Sequence, residues 1–229
     1  MAIVELSGVH KTYLSGKNVQ THALRGLDLT IDKGEFAAIA GPSGSGKTTL
    51  LNIIGCLDTA DEGRVVVDGQ DVTALKDSAL ADLRRDRIGF IFQAYNLVPV
   101  LTALENVEFV MLLQKVPESE RQDRAVAVLK EVGLGDYIER RPNEMSGGQQ
   151  QRIAVARAIA AEPSLVLADE PTANLDSETA TALMALMRRL NEEKQVTFLF
   201  STHDKLVMDH AQRLVHLRDG MVAEDERRA

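Results

Sequence analysis

The most constraining feature of this 229-residue chain is one eight-residue run, Gly41-Pro42-Ser43-Gly44-Ser45-Gly46-Lys47-Thr48. It follows an apolar stretch, Phe36 to Ala40, and opens a helical pattern from Lys47 to Leu57. Four free positions between a glycine and Gly-Lys-Thr mark a loop that grips phosphate, provided a strand precedes it and a helix follows. Glycines let successive backbone N–H groups turn inward around an anion, and the helix N-terminus adds the positive end of its dipole. In such a loop Lys47 reaches the β- and γ-phosphates and the Thr48 hydroxyl ligates Mg²⁺. The plain alternative is a chance glycine-rich turn, and the flanking strand and helix argue against it.

Other segments extend this into an α/β pattern. Ile3 to Leu6 and Leu27 to Ile31 read as early strands, as do Arg64 to Val67 and Ile88 to Phe92. Ala103 to about Ile138 reads as helical, with Ala125, Val128, Leu129 and Val132 on one face. A strand at Leu165 to Ala168, a helix marked by Ala180, Leu183, Met184, Met187 and Leu190, and strands at Val196 to Phe200 and Leu214 to Leu217 complete the pattern. Strands alternating with helices predict a parallel sheet. The helical stretch between Phe92 and Leu165 reads as an insertion into it.

Two further motifs carry chemistry. The strand at Leu165 ends in Asp169-Glu170, at the carboxyl edge of the sheet where ligands of open α/β folds bind. Asp169 there can hold a metal ion, and Glu170 can act as a general base on water. The plain reading is a solvated acidic pair before Pro171. Met145-Ser146-Gly147-Gly148-Gln149 contains Ser146 and Gln149 at the spacing of a capping box that opens a helix. On physics alone that segment is an ordinary capped helix.

The phosphate loop, Ser146-Gly147-Gly148-Gln149, Asp169-Glu170-Pro171-Thr172 and the isolated His203 follow one another in the order of ATP-binding cassette (ABC) ATPases, which the chain resembles from about Ile3 to Val222. The stretches Asn52 to Asp58, Gly89 to Gln93 and Thr102 to Val107 are similar to the branch serving lipoprotein-release, macrolide-export and FtsE-like division systems. The resemblance implies a P-loop NTPase cassette, a single domain over 1–229. It would have a RecA-like α/β core, an N-terminal antiparallel β subdomain and an α-helical subdomain inserted at about 94–162. It also implies a head-to-tail pair of copies enclosing two ATPs with Mg²⁺, and a separately encoded membrane permease docked between Gln93 and Met145.

By the same resemblance, Gln93 touches Mg²⁺ and the attacking water, and Ser146 and Gly148 face the partner's γ-phosphate. His203 contacts the γ-phosphate and holds Glu170. The Ala173 to Asp176 loop links the two sites, and Tyr13 stacks on adenine. The resemblance thus points to Glu170, His203, Gln93 and Lys47 as catalytic and to Thr48, Gln93 and Asp169 as metal-binding. The nucleotide is expected at Tyr13, Gly41 to Thr49, Gln93, Ser146 to Gln149, Asp169, Asp176 and His203. Two departures stand out: Met145 where the family usually has Leu, and Thr48 where Ser is common. Both keep the chemistry of the position.

Composition narrows the partners. With 26 Lys and Arg against 34 Asp and Glu, the net charge is 26 − 34 = −8, which disfavours the phosphate backbones of nucleic acid. A single cysteine, Cys56, forms no intrachain disulfide and is expected to pack as a small apolar side chain in the helix after the loop. No apolar run approaches the roughly 20 residues of a membrane span, and the first residues carry no secretion signal. A peripheral place on the cytoplasmic face of the inner membrane is expected. Arg84 to Arg87 reads as a solvated charged face, Asp123 to Lys130 as an amphipathic helix, and Glu224 to Ala229 as a frayed tail. His10, His22, His210 and His216 lack metal-ligand spacing. Readings with less support are a soluble mechanochemical ABC ATPase on DNA or ribosomes, a signalling role like that of FtsE, and a P-loop GTPase or small-molecule kinase. The last lacks a guanine-reading Asn-Lys-x-Asp.

Overall fold

A computed structural model of the chain describes residues 1–15 and 19–228. Two sheets build the fold. The first is antiparallel, ordered β2-β1-β4-β5, from β1 (Ala2–Ser15), β2 (Val19–Asp32), β4 (Glu62–Val67) and β5 (Gln70–Asp71). The second runs β10-β9-β3-β8-β7-β6. It comprises β3 (Phe36–Ala40), β6 (Ile88–Phe92), β7 (Leu165–Asp169), β8 (Thr197–Thr202), β9 (Arg213–Arg218) and β10 (Met221–Arg227). Its five strands from β9 to β6 are parallel, and β10 closes the edge antiparallel to β9.

The period of two in β3 divides the interior. Phe36, Ala38 and Ala40 point into one hydrophobic core; Ala37 and Ile39 point into the other, and all five residues are buried. On the first side Phe36 packs against Phe198 and Phe200, with ring centroids 5.6 and 4.7 Å away. On the second side lie α1 (Lys47–Ile54) and the antiparallel sheet, through Leu50, Ile53, Val4 and Ile31.

Between β6 and β7 run α3 (Ala103–Leu113), α4 (Glu118–Glu131) and α5 (Gly147–Ala160), after α2 (Asp77–Arg87). The helical run expected from Ala103 to Ile138 is two helices. Lys115 adopts φ +62° and Pro117 follows Val116, so the chain cannot continue as one helix there. Ile153, Val155 and Ile159 of α5 share a core with Ile91 of β6 and Val166 of β7, so these helices are seated on the sheet. The helices α6 (Ser177–Lys194) and α7 (Lys205–His210) complete the order.

Three local expectations are corrected. The helix after the phosphate loop stops at Ile54 rather than Leu57, because Gly55 ends it and Cys56 turns into the left-handed region at φ +56°. Cys56 is buried as expected, but just past the helix. Arg84 to Arg87, expected as a solvated charged face, are the part-exposed last turn of α2, after its buried Leu80 and Leu83. The tail is no frayed end: Glu224 to Arg227 pair with β9, while Ala229 lies outside the described residues. What holds it is Arg213, 7% exposed, whose guanidinium grips Asp225 through two bonds of 2.8 and 2.7 Å and Glu35 at 2.9 Å.

Candidate nucleotide site

The phosphate loop leads directly from β3 into α1. Gly46 stands at the helix N-cap with φ +104°, and a Cβ there would lie 2.5 Å from the Ala23 carbonyl oxygen, so only glycine fits. No side chain caps α1, which leaves its first-turn N–H groups and its dipole end facing the loop. Lys47 is 7% exposed and donates to the carbonyls of Gly41 (2.8 Å) and Pro42 (3.0 Å), so the loop wraps its ammonium group. The turn before β10 braces the loop from behind: Gly220 donates to the Ser45 carbonyl at 3.0 Å.

The carboxylates arrive from β7. Asp169 approaches Thr48, with Oδ2 3.5 Å from Oγ1, and its other oxygen is buried with no hydrogen-bond partner among the described residues. Burial raises its carboxyl pKa, and the neighbouring Glu170 charge reinforces that rise. A hydroxyl beside a half-desolvated carboxylate oxygen is a hard oxygen donor set, which fits Mg²⁺. Glu170 adopts φ +47° ahead of Pro171, a conformation that persists only where the surroundings impose it. They do so here. His203 Nδ1 lies 2.6 Å from Oε1, Thr202 Oγ1 donates to Oε2 at 3.2 Å, and the Glu170 N–H donates to the Ser201 carbonyl at 2.9 Å. The His203 contact requires the proton on Nδ1, since a carboxylate oxygen accepts.

Lys47, Thr48, Glu170 and His203 face one cleft of about 610 Å³; Asp169 does not line it and adjoins it through Thr48. It is lined by Pro42, Ser43 and Gly44, by Gly46 to Thr49, and by Gln93, Glu170, His203 and Tyr13. The cleft also takes in Thr21 and Ala23 of β2, which the sequence reading missed because it stopped short of a strand there. Gly41 and Ser45 sit behind the loop: a Cβ on Gly41 would clash with the Leu217 carbonyl, and Ser45 is buried.

Ser146 to Gln149 and Asp176 do not line this cleft. Ser146 caps α5, accepting from the Gln149 N–H at 3.3 Å while its own N–H donates to Gln149 Oε1 at 2.9 Å. Asp176 caps α6, accepting from the Thr179 N–H and hydroxyl at 2.9 and 2.7 Å. The two caps adjoin, since a Cβ on Gly148 would lie 2.5 Å from Thr179 Cγ2. Close helix packing therefore demands one glycine of the pair, and the segment forms a second surface of the same chain. Gln151 was missed by sequence reading. Fully buried in α5, it donates to the Pro171 carbonyl at 2.7 Å and so ties that surface to the Glu170 loop.

Residues 24–173 match the family model described as ABC transporter. The chain is 49% identical over 97% of its length to the lipoprotein-releasing system ATP-binding protein LolD of Anaeromyxobacter dehalogenans, covering 93% of that protein. It is 45% identical over 97% of its length to the macrolide export ATP-binding/permease protein MacB of Syntrophobacter fumaroxidans, covering 31% of it. Among solved structures it is similar to the dimeric bacterial ABC transporter cassette MJ0796 of Methanocaldococcus jannaschii, with TM-score 0.90, 46% identity and 98% of each chain covered. A second structure of MJ0796, dimeric and bound to ADP and Pi after hydrolysis, gives TM-score 0.89. With more than half its length matched by the family model and these relatives near 50% identity, the chain belongs to the ABC transporter family.

Proposed function

We propose that this chain is the ATP-hydrolysing motor subunit of an ABC transporter of the lipoprotein-release and macrolide-export branch. The observation that carries the reading is the convergence of Lys47, Thr48, Gln93, Glu170 and His203 on one cleft, with Asp169 against Thr48 at its edge, between a helix N-terminus and a strand end. Lys47 exchanges its two loop carbonyls for the β- and γ-phosphates of ATP. Thr48, Asp169 and Gln93 would hold Mg²⁺, which when bound would neutralise charge on those phosphates. Glu170, fixed by His203 and Thr202, accepts a proton from water as the water oxygen bonds to the γ-phosphorus. The bond to the β–γ bridging oxygen breaks, leaving ADP and phosphate. Gln93 orients the water and His203 holds Glu170 in place.

Tyr13 offers a stacking face for the base, a contact that tolerates any base. Ser146 to Gln149 and Asp176, away from their own cleft, are assigned to the ATP of a second copy packed head to tail. The dimeric MJ0796 cassettes support that pairing. The helices between β6 and β7, within about 94–162, form an inserted subdomain of the single cassette. Among the described residues no helix is long and apolar enough to cross a membrane. The lipoprotein-releasing ATP-binding proteins, covered to 93% or more of their length, support a separate permease partner, with this chain peripheral on the cytoplasmic face of the inner membrane. A groove of about 390 Å³ between Phe90, Phe92, Phe109 and Leu113, rimmed by Arg84 and Arg157, suits a helix of that permease. The cargo, a lipoprotein, drug or peptide for extraction or export, is set by the permease.

Affinity capture of Glu170→Gln with ATP from detergent-solubilised membranes, read by mass spectrometry, tests the transporter reading. A few-helix permease with a large extracytoplasmic domain is expected. Ribosomal or DNA-associated proteins in its place would overturn it.

A further inference from the structure

Tyr13 is not a freely rotating ring. Its hydroxyl donates to Asp58 Oδ2 at 2.7 Å, and the other oxygen of the same carboxylate accepts from Lys11 Nζ at 2.8 Å. Lys11 is 8% exposed, donates also to the Thr59 carbonyl at 2.7 Å, and holds its ammonium 5.3 Å from the centroid of the Tyr13 ring. Asp61, 3.6 Å from Lys11, places a second carboxylate beside the ammonium and accepts from the Thr12 N–H at 2.6 Å. Asp58 itself closes the far end of α1, where the N–H groups of Leu57 and Asp58 both return to the Asn52 carbonyl.

The geometry has a consequence for the cleft. Tyr13 rides on β1 of the antiparallel sheet, whereas the phosphate loop leads from β3 of the second sheet into α1. The Asp58 carboxylate spans the two, tying the ring to the helix that carries Lys47, Thr48 and Thr49. From this we infer that Asp58, backed by buried Lys11, is a positioning residue: it fixes the Tyr13 ring at a set distance from the phosphate loop, so that the nucleobase meets a platform already in place. The inference rests on the reading of Tyr13 as the base platform. A pre-ordered side chain spares the ordering that an immobilised rotamer otherwise costs on binding, which corresponds to about a 3- to 10-fold effect on affinity.

The test compares the binding of ATP and of inorganic tripolyphosphate by titration calorimetry in the full chain. Tripolyphosphate reads the loop without the base. Tyr13→Phe keeps the ring and removes only the hydroxyl, leaving Lys11 and Asp58 paired. It is expected to weaken ATP binding about 3- to 10-fold and to leave tripolyphosphate unchanged. Asp58→Asn is expected to show the same selective loss in the parent and none in a Tyr13→Ala background. Tyr13→Phe binding ATP as the parent does, while Tyr13→Ala binds it weakly, would overturn the tether and leave the platform standing. Parent-like ATP binding by Tyr13→Ala would overturn the platform itself. Equal loss of ATP and tripolyphosphate affinity in Asp58→Asn would mark Asp58 as a support of the loop, which also contradicts the inference.

Discussion

Asn106 is the residue whose removal the structure prices most directly. It lies in α3 at 1% exposure and fastens the turn that precedes its own helix. Its Oδ1 accepts from the Val98 N–H at 2.8 Å, and its Nδ2 donates toward the carbonyls of Thr102 (2.9 Å), Val98 (3.2 Å) and Leu101 (3.2 Å). Two Nδ2 hydrogens serve three carbonyls, so the net is between two and three bonds plus one accepted. At about 1 kcal/mol each, and with buried groups left unpaired, Asn106→Leu should lose about 2–4 kcal/mol. In a chain of this size that lowers Tm by roughly 4–16 °C. Leucine keeps the same branched side-chain skeleton without polar atoms, so the loss is not that of a cavity. Asn106→Asp should be at least as damaging at pH 7, since it keeps the Val98 bond but turns a charge toward three carbonyls. Its deficit should shrink on acidification, as a protonated carboxyl can donate again. The assay is thermal and urea unfolding followed by circular dichroism. An Asn106→Leu variant within 0.5 kcal/mol of the parent would refute the reasoning.

Two further predictions follow from buried groups. Arg213→Met removes the shared partner of part-buried Glu35 and more exposed Asp225, leaves Arg227 near both, and should cost about 1–3 kcal/mol in urea unfolding. The Arg213 hydrogen bond holds the Asp225 carboxyl below its ordinary value, so its stabilisation is present above the unfolded pKa near 3.9 and lost as pH falls through the lower folded value. The gap between parent and variant should therefore narrow below about pH 4; a gap independent of pH would contradict the pairing. Burial pushes the Cys56 thiol from 9.0 up to about 11. Maleimide labelling of the folded chain at pH 8 should then run about 100-fold slower than in urea, from thiolate content alone. Equal rates would show the thiol to be open.

Much of the site was legible because its residues are close in sequence and chemically unusual. Gly41 to Thr48 needs no long-range contact to be read: strand, glycine turn and helix are all local. Asp169-Glu170 could be placed at a sheet edge because an apolar strand led into it. What escaped depends on partners far along the chain. Tyr13 and Asp58 are 45 residues apart, Gln151 and Pro171 are 20, and neither pairing leaves a periodic trace. β10 was hidden because Glu224, Asp225 and Glu226 look solvated until Arg213 and the β9 ladder are seen. The split between α3 and α4 was written in Pro117, but the apolar stripe on both sides masked it.

The most direct measurement is phosphate release by purified Glu170→Gln beside the parent, with light-scattering size analysis in Mg²⁺ and ATP. The account predicts a fall in turnover of roughly 10²–10⁴-fold with ATP affinity kept, and ATP-dependent dimers that persist. Hydrolysis at the parent rate, with monomers throughout, would contradict it.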